Sequence, residues 1–187
     1  EVFFTVNGKQ ANVRPSLKCH DLMRYASLEM RKHLEGLERE GHELAYAIVL
    51  DLNSAGVWKD KINLSDIRGL GRPATLKGFI DALDPVVMDR WFATLPDAKQ
   101  KELMQTFWNA MAKVWPAALI PGNPTILHRT FGVHVACGLA VDIFHYSDQL
   151  GGLNEDMMAS LLDGIKDKVD NWEPMGQVGS FAGGGRK

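Results

Sequence analysis

The side chains of this 187-residue chain that could do chemistry are six histidines, two cysteines and a few grouped carboxylates. A metal site on a helix needs ligands three or four residues apart, so that they share a face. His128 and His134 are six residues apart and diverge on a helix. His134 and His145 share a face, but about 16 Å of helix separates them. Neither pair can hold one ion. His20, His33 and His42 stand alone, so the six read as structural or surface residues and no metal site is expected. Cys19-His20-Asp21 contains a nucleophile, a base and an orienting acid. Neighbours on a helix project about 100° apart, which rules out a relay among the three. Asp163, Asp167 and Asp170 fall at helical spacing, but Lys166 and Lys168 beside them favour a solvated face over a cation site. With no coherent acid–base set, a hydrolase or nuclease is the weakest functional class.

Anion binding has more support. Asn7, Lys9 and Gln10 follow an apolar opening stretch; amides can bond phosphate, ribose or base edges, and Lys9 can neutralise a phosphate. A plain turn is the alternative. Near the other end, Ser180-Phe-Ala-Gly-Gly-Gly-Arg-Lys has the composition of a phosphate cradle, with Gly183 and Gly184 freeing the backbone and Arg186 adding charge. It lacks the full P-loop pattern, and a flexible end explains it about as well. Arg14, Arg68, Arg72 and Arg129 add cations at loops and helix starts. Arg129 falls in the first turn of an otherwise apolar helix, where a cation opposes the helix dipole. An acidic side chain of the protein is its expected partner, and a bound anion the alternative.

The elements that position these residues are mostly helical. Val2–Val6 reads as a strand, with Asn7-Gly8 as its turn. Leu17–Tyr25, a charged stretch from Ser27 to about Glu40, and an apolar Glu43–Leu52 read as helices, with Gly41 able to end or kink the second. Val57–Leu64 alternates weakly and reads as a short strand. Thr75 is positioned to cap Leu76–Leu83, and Asp84-Pro85 opens another helix near Val86–Thr94. Ala98–Trp115 is the clearest amphipathic helix, with Leu103, Phe107, Met111 and Val114 on one face. Thr125 is the expected cap of Ile126–Tyr146, which is apolar nearly all round and therefore expected at the centre of the core. Asn154 caps Met157–Val169, and residues 171–187 form a Gly-rich tail. The expected fold is mainly α, a single bundle-like helical unit over residues 1–187 with a short N-terminal β element that belongs to a larger α+β fold.

Composition narrows the partners. Hydrophobic residues make up 45% and charged residues 24%, the balance of a globular chain rather than a disordered one. The net charge of −2 excludes a generally basic nucleic-acid coat but not a local basic patch. No apolar stretch approaches the about 20 residues of a spanning helix, so no membrane association is expected. Two distant cysteines argue against a disulfide scaffold and for a cytoplasmic setting. The chain opens directly on a strand pattern and stops in Gly-Gly-Gly-Arg-Lys, which reads as an excised piece of a longer protein. Five tryptophans and eight methionines leave room for a helical interaction module or a homodimer.

In order, these segments resemble the DGQHR-domain family, which includes regulators of DNA phosphorothioation and relatives in other DNA-modification islands. Val2-Phe-Phe-Thr-Val-Asn-Gly-Lys-Gln-Ala-Asn-Val-Arg-Pro-Ser-Leu is similar to that family's F-x-x-I-N-x-K-Q-x-x-V-x-x-S-L stretch. Leu50-Asp-Leu-Asn-Ser followed by Trp58-Lys-Asp-Lys-Ile-Asn-Leu, the run through Thr130-Phe-Gly-Val-His-Val-Ala, and the Trp172 to Gly183 tail are similar to later parts of the family. The namesake Asp-Gly-Gln-His-Arg motif is absent and would precede Glu1. The resemblance implies a ParB/sulfiredoxin-like fold whose phosphate-side motif would fall on Asn7, Lys9 and Gln10. It implies work in nucleic-acid- or nucleotide-linked regulation within DNA modification or defence. DNA contacts would be local, at Lys9, Arg14, Arg129 and Arg186. The expected partners are DNA or a nucleotide, the upstream part of the same protein, and a second copy of the chain. Catalysis by this chain alone is not expected, and no particular cofactor is indicated.

Overall fold

The computed structural model describes residues 41–65, 74–120, 125–169 and 172–173. Through them run α1 (His42–Ser54), a 3-10 turn at Gly56–Trp58, β1 (Ile62–Asn63), β2 (Ala74–Thr75), α2 (Leu76–Ala82), α3 (Asp84–Val87), α4 (Arg90–Ala93), α5 (Asp97–Val114), a second 3-10 turn at Pro116–Leu119, α6 (Thr130–Gln149), α7 (Glu155–Asp163) and a third at Lys166–Lys168. The described part is thus mainly helical with a small β element, as the residue pattern implies.

Several boundaries follow from local chemistry. Thr75 Oγ1 accepts the Gly78 N–H at 3.1 Å and starts α2 where the sequence places it. Asn154 Oδ1 likewise accepts the Met157 N–H at 3.0 Å and starts α7. Gly41 adopts φ +88° immediately ahead of α1, a backbone that suits glycine. α5 runs from Asp97 to Val114 and stops before Pro116.

Other boundaries differ from the sequence reading. The helix expected near Val86–Thr94 is two short helices, because Asp89 Oδ1 accepts the Phe92 N–H at 2.8 Å and caps α4 afresh. The strand expected at Val57–Leu64 contracts to Ile62–Asn63, since the chain turns at Gly56–Trp58 to bury the Trp58 indole. β1 pairs in parallel with β2, Ile62 opposite Ala74 and Asn63 opposite Thr75. The opening strand Val2–Val6 and the helices expected before Gly41 lie outside the described residues. The last helix ends at Asp163 rather than Val169, and a 3-10 turn follows.

The core is rich in aromatic rings. Trp58 sits edge-on to Phe79 at 4.9 Å and to Trp108 at 5.0 Å. Phe92 stacks on Phe144 at 5.7 Å. Around them α5 packs against α1 and α7, while α6 packs against α2, α3 and α7. Burying each such side chain stabilises the fold by roughly 1.5–3 kcal/mol before conformational entropy is subtracted.

α6 corrects two expectations. It begins at Thr130 rather than Ile126, and the Thr125 hydroxyl donates to the Ala118 carbonyl at 2.7 Å instead of capping. Residues 126–129 fold as a turn across the helix start, closed by the Arg129 N–H on the Ile126 carbonyl. That turn needs Gly132, where a Cβ would stand 2.1 Å from the Ile126 oxygen. Nor is α6 buried all round. Val133, Ala136, Cys137, Ala140, Ile143 and Phe144 face the core, while His134, Gly138, Asp142 and Tyr146 are exposed.

Candidate functional site

The ends of several elements come together at the start of α6. Arg129 occupies its N-cap position in an extended backbone conformation, and its side chain is exposed. Arg129 makes no side-chain cap, and among the described residues no side chain bonds the first turn, so its leading N–H groups are donors there. The acidic partner expected for Arg129 is not found among the described residues. Thr130 packs directly on α2: a Cβ at Gly78 would lie 2.8 Å from both its Oγ1 and its Cγ2. The N-terminus of α2, with its Thr75 cap, therefore lies beside that of α6. Thr75 also ends β2, so this is the carboxyl edge of the parallel strand pair.

The beginning of the C-terminal tail is tied to the same region. The Ile126 N–H donates to the Trp172 carbonyl at 2.9 Å. Trp172 is buried and meets Trp115 edge-on at 5.8 Å. In sequence, Arg72 precedes β2 by two residues, and the Gly-rich stretch follows Trp172.

Beneath this surface lies a pair of basic groups. His128 is buried, edge-on to Trp58 at 5.8 Å, and its Nε2 has no hydrogen-bond partner among the described residues. Burial pushes its pKa down and the nearby Lys61 charge pushes further, against a hydrogen bond to the Leu119 backbone. Lys61 Nζ donates to the same Leu119 carbonyl at 3.4 Å, and partial burial lowers its pKa too. His128 is therefore a neutral base held inside, and the chemistry of the α6 start is cationic and donor-rich outside.

A third grouping lies toward the other end of α6. His145 Nε2 and Asp89 Oδ2 are 3.0 Å apart, and the His145 ring lies 5.5 Å from that of Trp91. The sequence pattern does not reveal this pair, because the apolar run on both sides of Asp89 hides the helix break there; Asp directly ahead of Arg90-Trp-Phe-Ala is the available signal. A His–Asp pair is two-thirds of a hydrolytic relay, but no serine or cysteine is hydrogen-bonded to His145 among the described residues. His42 Nε2 lies 3.6 Å from Asp84 Oδ1 in the interior, a structural link between α1 and α3. Asp163 is exposed and 3.9 Å from Lys166, in keeping with a solvated face. Among the described residues no three His, Cys, Asp or Glu side chains gather to hold a metal ion. None of the described helices is long and apolar enough to cross a membrane.

Of the residues expected to contact phosphate or nucleic acid, Arg129 alone is described. Asn7, Lys9, Gln10, Arg14, Gly183, Gly184 and Arg186 lie outside the described residues, as do Cys19, His20, His33 and Asp170. No family model, curated protein or solved structure matches the chain.

Proposed function

We propose that this chain is the helical C-terminal portion of a DGQHR-domain protein, working in nucleic-acid- or nucleotide-linked regulation within DNA modification or defence. The contribution assigned to its described residues is a phosphate contact at the start of α6. The observation that supports this is Arg129: an exposed guanidinium at the N-cap of a helix whose first turn has no side-chain cap among the described residues. A cation there is unfavourable alone, by up to about 1 kcal/mol, and a bound anion reverses the sign. Thr130, which packs beside it against Gly78, fits the same ligand chemistry. The overall charge of −2 keeps any DNA contact local rather than distributed.

The test is binding of a fluorescent duplex oligonucleotide across a salt series. Affinity should fall with salt, and Arg129→Ala should weaken binding evenly across sequences and lower the salt slope by about one. Lys9→Ala and Arg14→Ala should add to that loss. Salt-insensitive binding, or none at low salt, overturns the reading. A second reading, a helical module that pairs with itself, is favoured by the open outer face of α6.

A further inference from the structure

Gly138 lies midway along α6, is exposed, and would accept a Cβ with no atom within 4 Å among the described residues. Glycine inside a helix costs about 0.5–1 kcal/mol relative to alanine. Nothing described within the chain requires it there. A requirement from outside, the close approach of another backbone, would explain it.

The residues around Gly138 say what approaches. At 3.6 residues per turn, His134, Val135, Val141 and Asp142 share its face, with Phe131 and His145 one turn further out. Val135 and Val141 are half-buried, and His134 and Asp142 are exposed. The arrangement is close to a palindrome about residue 138. We propose that two copies of this chain pair through α6, antiparallel, on a two-fold axis passing through Gly138.

In that register, residues equally distant from Gly138 face each other. Val135 of one copy meets Val141 of the other, and His134 meets Asp142. Phe131 meets His145, which already accepts or donates a hydrogen bond with Asp89. The two-fold makes every contact twice, as an isologous interface requires. Glycine at the crossing point lets the axes come closer than the usual about 8–10 Å. The pairing of an imidazole with a carboxylate fixes the antiparallel direction, because a parallel pairing in register sets Asp142 against Asp142.

Sedimentation equilibrium of the full chain from low to high micromolar concentration tests this. A reversible monomer–dimer equilibrium is expected. Gly138→Leu should raise the dissociation constant by about tenfold or more while leaving the melting temperature unchanged or higher, since the site is open and leucine favours helix. His134→Asp and Asp142→Lys should each weaken the dimer, and the double variant should recover most of the loss. The double variant keeps the test sound should Gly138→Leu disturb folding. A chain monomeric throughout, a dimer indifferent to Gly138→Leu, or a double variant no tighter than either single one overturns the proposal.

Discussion

His145 on α6 and Asp89 at the head of α4 meet at 3.0 Å, and the same carboxylate caps α4 through the Phe92 N–H. One side chain thus fixes both where a helix begins and how it sits against its neighbour.

Removing that side chain should cost more than either role alone. Burial opposes the Asp89 charge, but the Phe92 N–H, His145 and the Trp91 N–H outweigh it and hold the pKa below the ordinary 3.8. A depressed carboxyl pKa stabilises the fold above its unfolded value, and the contribution fades as pH falls through the folded one. Asp89→Ala should cost about 1–2 kcal/mol at neutral pH, and Asp89→Asn less, since an amide oxygen still caps. Urea unfolding at neutral and strongly acidic pH checks this: the penalty of Asp89→Ala should shrink in acid.

His128 should make the protein acid-sensitive in a different window. Burial, reinforced by Lys61, lowers its pKa from 6.5, so the folded state disfavours the charged form. The unfolded chain then binds more protons just below that value. Stability should be full above it and decline as pH falls towards the lower folded pKa. The His128→Phe variant should show a flatter stability profile between neutral and mildly acidic pH, read as urea midpoints. An unchanged profile would locate the acid sensitivity elsewhere.

Two glycines on α6 should respond oppositely to alanine. At Gly132 the new Cβ would lie 2.1 Å from the Ile126 oxygen, and the turn across the helix start must open. A loss of about 3 kcal/mol is expected. At Gly138 the space is empty, and Gly138→Ala should gain about 0.5–1 kcal/mol in the monomer. Thermal unfolding at low concentration separates the two.

Cys137 should resist thiol reagents in the folded protein. It is fully buried in the core, and burial pushes its thiol pKa strongly upward, which suppresses the reactive thiolate. Peptide-resolved mass spectrometry should show labelling of Cys137 only after denaturant is added.

How far the sequence determined this protein depends on whether the deciding interaction is local. The caps at Thr75 and Asn154 and the buried stripe of α5 were legible because each depends on residues within a turn or two of one another. The break at Asp89 was equally local in cause, yet an apolar run on both sides masked it. The start of α6 was not legible, because it depends on the backbone of Ile126 folding back over Gly132. Neither was the pairing of Asp89 with His145, 56 residues apart. At the candidate site, the sequence supplied Arg129 and the reason a cation there needs a negative partner, an acidic side chain or a bound anion. Only the tertiary structure put the starts of α2 and α6 and the Trp172 carbonyl side by side, because closure between distant segments is set by shared burial rather than by spacing along the chain. The same holds for α6 itself: composition established that it is apolar, but which of its faces stays open is decided by the helices that cover the other.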